Sequence, residues 1–130
     1  MADTIARLVG VYDADGTVLG EISYFVKARL GQAHCALCDI THGLVREREE
    51  WRAARDGLPV DFVTFHRDDQ PEPVRAVSGG RLPAVIAELT DGGHVVLLDG
   101  EELQSCGGDP VSLVAELRSA AVRRGLTLGA

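Results

Sequence analysis

The chain has 130 residues, 45% of them hydrophobic and 25% charged, a balance that suits one globular domain spanning 1–130 and argues against a disordered segment. Its net charge of -7 and pI near 5.0 exclude a surface built for nucleic-acid phosphates, which needs a concentrated basic face. Arg46, Arg48, Arg52 and Arg55 do cluster, but Glu47, Glu49, Glu50 and Asp56 are interleaved with them, so the stretch reads as a solvated helix face.

Residues 5–12 are rich in β-formers, Asp13-Ala14-Asp15-Gly16 supplies turn chemistry, and Thr17-Val18-Leu19 resumes the apolar character. A hairpin is expected there. Residues 21–30 alternate like a strand, yet Glu21 at their start and Lys27 and Arg29 at their end suit a helix that stops at Gly31. From Cys35 to about Arg55 the pattern is helical with a break near Gly43, Trp51 anchors the apolar side, and Gly57 and Pro59 end it. Residues 60–65 alternate as a strand, and His66, at its C-terminal end, reads as surface loop with a site there as the alternative. Residues 73–77 form a short helix closed by Gly79-Gly80. A second hairpin, 83–89 with 94–98, turns on Thr90-Asp91-Gly92-Gly93. Asp109 caps a last helix with Pro110 in its first turn and Val111, Val114, Ala115, Leu117, Ala121 and Val122 as its apolar stripe. The order predicts an α/β sandwich with one mixed sheet.

Residues 1–7 lack the basic and then apolar order of an export signal, and no apolar run approaches the ~18 residues that span a bilayer. A cytoplasmic protein is expected, and three cysteines in such a chain do not make a disulfide framework.

Two of the three cysteines and two of the four histidines fall in the stretch Gly31-Gln32-Ala33-His34-Cys35-Ala36-Leu37-Cys38-Asp39-Ile40-Thr41-His42-Gly43. A Cys-x-x-Cys that opens a helix suits redox chemistry, because the helix N-terminus stabilises the first thiolate and the second cysteine lies one turn on. Cys35 would attack and Cys38 would resolve. His42, one turn from Cys38, can stabilise a thiolate, whereas the Asp39 carboxylate opposes one. The same residues support a rival. Two thiolates and an imidazole are ligands for Zn²⁺ or Cu⁺, with Cys35, Cys38 and His42 within about 60° of one helix face. Cys35 and His42 are nevertheless roughly 10 Å apart along a regular helix axis, which strains a closed tetrahedral site unless the chain breaks or His34 or Cys106 contributes. A third reading is inert core thiols in a non-catalytic interaction module.

Cys35-Ala36-Leu37-Cys38 opening a helix, the strand 60–65, Arg81-Leu82-Pro83 leading the next strand, the hairpin to Leu98 and the closing amphipathic helix together resemble the thioredoxin superfamily, on its glutaredoxin side. The likeness covers about residues 32–124. It implies a three-layer sandwich with a mixed four-stranded sheet flanked by helices, preceded here by a hairpin and helix extension. It also implies Pro83 in cis beside the cysteine pair, and Leu82 lining the groove where a protein or low-molecular-weight thiol or disulfide pairs with the backbone. No cofactor is implied. Cys106 resembles the loop before the last helix that in glutaredoxins contacts a thiol tripeptide, with Gly107, Gly108 and Asp109 as donors; read as a residue, it is a half-buried loop thiol. The stretch from His34 to Gly43 also resembles one in small bacterial proteins without an assigned activity.

Overall fold

The computed structural model describes residues 4–13, 37 and 49–128. They form β1 (Thr4–Val11), α1 (Glu49–Asp56), β2 (Asp61–Phe65), α2 (Glu72–Ser78), β3 (Ala84–Leu89), β4 (His94–Leu98), α3 (Gly100–Ser105), α4 (Pro110–Arg123) and β5 (Thr127–Leu128). The sheet runs β2-β1-β3-β4, with β5 paired to β1. β1 and β2 are parallel, β3 is antiparallel to β1, and β4 is antiparallel to β3. Among the described residues the expected mixed sheet is therefore present, with five strands rather than four. The fifth is the two-residue β5, which pairs in parallel with Thr4 and Ile5 after α4 has returned the chain.

β1 is the centre of the sheet, and this overturns the N-terminal hairpin. From Arg7 to Val11 one edge of β1 pairs with residues 61–65 and the other with residues 84–88, so no edge remains there for a partner at 17–19. The physical sign is burial on both faces: Leu8, Val9, Gly10 and Val11 are all buried, as in a strand covered above and below. The expected second arm, 17–19, and the helix at 21–30 lie outside the described residues.

Helices cover both faces. On one side Ile5, Leu8, Val85, Ala87 and Leu97 pack with Trp51 of α1, Leu103 of α3 and Leu113, Leu117, Ala120 and Ala121 of α4. On the other, Val9, Val11, Ala84 and Ile86 pack under Val74 of α2, with Val77 at the margin. Trp51 meets Phe62 edge-on at 4.9 Å, which bears out its expected anchoring role. In α4 the buried side chains differ from the predicted stripe. Leu117 and Ala121 are inside, but Leu113 and Ala120 join them, while Val111 and Val122 are 68% and 78% exposed. At 100° per residue these four, with the buried Pro110, span about 100°, and the two valines lie roughly 130–150° from their centre. The predicted stripe mixed two faces.

The punctuation from β2 onward follows local chemistry. α2 begins at Pro71-Glu72-Pro73 and closes on Gly79, whose left-handed φ of 60° suits glycine and whose N-H donates to Arg75 O. Asp109 caps α4 by accepting from Val111 N-H, with Pro110 in the first turn. The β3–β4 turn closes through Leu89 N-H to Gly93 O at 2.8 Å, with Gly92 at φ 90°. One helix was not expected from sequence. α3, whose start is capped by Asp99, occupies the stretch read as a loop. No helix among the described residues is long and apolar enough to cross a membrane.

Candidate functional site

Because β1 and β2 are parallel, Val11 and Phe65 pair at one end of the sheet. Ala84, the first residue of antiparallel β3, pairs with Val11, and Leu98, the last of β4, pairs with Val85 at the same end. The segments after β1 and β2, the segment before β3 and the start of α3 therefore converge on one rim. Loops gathered at one end of a sheet are where sites are usually built on α/β folds.

Leu82 and Pro83 stand on this rim and are joined by a cis peptide bond, as the thioredoxin-superfamily resemblance implies. Pro83 is buried and Leu82 packs at the margin of the cluster beneath α2. α3 abuts them, since a Cβ placed on Gly100 would lie 3.7 Å from Pro83 O.

Tyr12 extends β1 by one bond, its N-H donating to Phe65 O at 2.9 Å. The Tyr12 ring lies 5.5 Å from the His66 ring, tilted by 50°. Asp69 holds His66 twice: its Oδ1 accepts the His66 backbone N-H, and its Oδ2 is 3.3 Å from Nδ1. Arg67 pairs with Asp13 at 3.5 Å. Below the loop the buried Gln70 donates to Arg67 O at 3.1 Å and accepts from the Ser78 hydroxyl at 3.4 Å, which pins the loop to α2. His66 is thus a fastened, three-quarters covered side chain, where sequence suggested open surface loop. The signal that could have found it is an aspartate three residues after a histidine that closes a parallel strand.

Of the expected cysteine stretch, Leu37 is the described residue; Cys35, Cys38, Asp39 and His42 lie outside the described residues. Leu37, between the two cysteines, is helical and fully buried. Its Cδ2 would be 3.1 Å from a Cβ on Gly10, so it packs on β1 two residues before Tyr12.

Cys106 ends α3 and is buried in the main core, its thiol donating to Glu102 O at 3.5 Å. Burial pushes the thiol pKa up, and Glu116, Asp109 and Glu102 add to the effect, so the thiolate is disfavoured. Two of the neighbouring donors bond within the chain's own turn. Gly107 N-H bonds Gln104 O at 3.1 Å, Asp109 N-H bonds Cys106 O at 3.2 Å, and the Asp109 carboxylate caps α4. Cys106 is therefore more deeply buried than the half-buried loop thiol expected from sequence, and two amides of the turn that follows it bond within the turn.

Among the described residues no three His, Cys, Asp or Glu side chains gather as a metal-binding group. At the opposite end of the sheet, an open groove of about 700 Å³ runs along Arg55, Leu58, Val60 and Asp61, away from the rim that holds Pro83 and His66.

No protein-family model matches the chain, and neither a curated protein nor a solved structure matches it.

Proposed function

We propose that the chain is a thioredoxin-like thiol-disulfide oxidoreductase in which Cys35 attacks and Cys38 resolves. The observation that carries this reading is one of placement: Leu37, one of the two residues between the cysteines, is buried on β1 near the rim where Pro83 opens β3. The β2-β1-β3-β4 order, with its parallel first pair, supports the same reading. In the proposed reaction the Cys35 thiolate attacks a disulfide of a protein or a small thiol, and a mixed disulfide forms as one thiolate leaves. The Cys38 thiolate then attacks the Cys35 sulfur, closing the protein disulfide and releasing the second thiolate. Leu82 and Pro83 line the groove that presents the substrate backbone. Cys106 takes no part, since its thiol is buried and kept protonated.

The test combines thiol counting with metal analysis on the full chain. The reduced protein is mixed with a small aromatic disulfide, remaining thiols are titrated, and bound zinc and copper are assayed on the same sample. The expected result is metal-free protein that loses two thiols to a Cys35-Cys38 bond reversible by dithiothreitol, with Cys106 alkylating slowly. Stoichiometric metal with slow thiols would instead establish a Zn²⁺ or Cu⁺ site. Metal-free thiols that never pair would leave an interaction module.

A further inference from the structure

We infer that the outward face of α4 pairs with the same face of a second copy of the chain in a weak, reversible two-fold dimer, an inference independent of the redox reading. Among the described residues the large hydrophobic side chains that stand exposed are Val111 and Val122, at 68% and 78%. Both belong to α4, on the side turned away from its buried residues. Beside them runs an open groove of about 380 Å³, lined by Ala53, Ala54 and Gly57 of α1 and by Val111, Val114 and Ala115 of α4. Exposed apolar side chains gathered along such a groove mark a contact face, where scattered ones would need no explanation.

The spacing along α4 selects a second copy as the occupant. Val111, Ala115, Arg118 and Val122 lie within about 60° of one helix face. Their separations of four, three and four residues are the seam pattern of paired helices, and they read the same from either end. Two α4 helices set antiparallel about a two-fold axis midway between Ala115 and Arg118 therefore place Val111 against the partner's Val122, and Ala115 against the partner's Arg118. Each half of the contact is then complementary in size: valine meets valine at the wall of the groove, and the aliphatic stem of the arginine lies over the alanine methyl.

Charge and area set the strength. Arg118 is the single charged residue of the stripe, and the two-fold brings both guanidinium groups close to the axis. Like charges there oppose association, as do two copies that each carry a net charge of -7. α4 and α1, 14 and 8 residues long, offer a footprint on the order of 300 Å² per copy at 1.5 Å rise and ~10 Å width. That lies at the low end of specific interfaces, so the dimer forms at high concentration and parts on dilution.

Sedimentation velocity on the full chain, kept in dithiothreitol so that no disulfide links the copies, should show monomer giving way to dimer between about 10 µM and 1 mM. Val111→Asp and Val122→Lys should each weaken association about tenfold or more, because each sets a charge against an apolar side chain. Their melting temperatures should stay near the parent's, since both sites are exposed, and either variant carries the test if the other fails to fold. The double variant is expected to recover most of the lost affinity, because the two-fold sets each new carboxylate against a new ammonium group. Arg118→Leu should tighten the dimer by about tenfold, through loss of the like charges at the axis. A parent that stays monomeric throughout would overturn the proposal and leave the face to a different protein. A dimer that ignores the single substitutions, or that the double variant does not restore, would overturn the antiparallel pairing on which the proposal stands. Neither result would touch the Cys35-Cys38 chemistry, which the thiol titration tests separately.

Discussion

At Gly10 the missing side chain is the structural requirement. A Cβ there would sit 2.9 Å from Phe62 Cε1 and 3.1 Å from Leu37 Cδ2, closer than such contacts normally come. The Phe62 ring has little room to yield, because Trp51 is set against it at 4.9 Å and 81°. Gly10→Ala should therefore lower unfolding free energy by about 1–3 kcal/mol, as overpacking in a dense core does. Urea denaturation checks it: the midpoint should fall with the slope unchanged, and an undisturbed midpoint would show that Phe62 moves freely. In sequence Gly10 is a weak point in a β-rich run, and nothing local says which side chains approach it. His66 was equally opaque, because its partner ring belongs to Tyr12, more than fifty residues earlier.

α3 shows at the level of one element how much a capping motif contributes. Asp99 accepts from the Glu102 backbone N-H at 2.9 Å, while Glu102 reaches back to the Asp99 N-H at 3.1 Å. This reciprocal box starts a helix of only six residues, too short to persist by propensity alone. Asp99→Ala is expected to cost about 1 kcal/mol, read as a lower thermal midpoint. A midpoint equal to the parent's would mean that Leu103 in the core holds α3 without its cap. Glu102 is a poorer probe, since its carboxylate also pairs with Arg123 of α4 at 3.3 Å. The Asp-x-x-Glu pattern was present in the sequence, but the cysteine and two glycines that follow drew the reading toward a loop. The last helix was legible from Asp109-Pro110, yet its buried face was not. Which stripe faces inward depends on the sheet it lands on.

Across the whole molecule one charged row crosses the four long strands on the face away from the main core. In register, Asp61 of β2 pairs with Arg7 of β1, Arg7 with Glu88 of β3, and Glu88 with His94 of β4. Arg7 Nε and Nη2 donate to the two Glu88 oxygens at 2.8 and 2.7 Å, a forked pair that fixes register as well as charge. The Arg7 hydrogen bonds hold the Glu88 carboxyl below its ordinary pKa against the opposing effect of burial, with smaller help from His94. A carboxyl lowered in the folded state binds more protons when unfolded. Its contribution is therefore present above the ordinary carboxylate value, ~4.3, and is lost as pH falls through the lower folded one. Glu88→Gln should lower stability at pH 7 by about 1 kcal/mol or less, since the pair is only partly sheltered. Unfolding free energies from pH 3 to 7 should show a shallower acid limb in the variant. Parallel limbs would mean that Glu88 does not drive the acid response.

Residues 61–123 were largely readable in sequence because their boundaries are local events: Gly79 in a left-handed cap, an Asp-Gly turn between β3 and β4, a proline at the head of β3, an Asp-Pro helix start. Composition and charge likewise bounded the class of molecule before any contact was known. What sequence could not decide was β1. Its Asp-Gly neighbour suggested a hairpin, yet each of its edges is filled by a strand some fifty to eighty residues away. Pairing two distant strands onto one buried strand satisfies its backbone groups, and the helices cover both its faces, a gain no short-range pattern records. That same parallel pairing brings Tyr12 beside His66, and the antiparallel return of β3 sets Pro83 on the same rim. Tyr12, His66 and Pro83 are written in the sequence, and their meeting on one rim is a consequence of strand order.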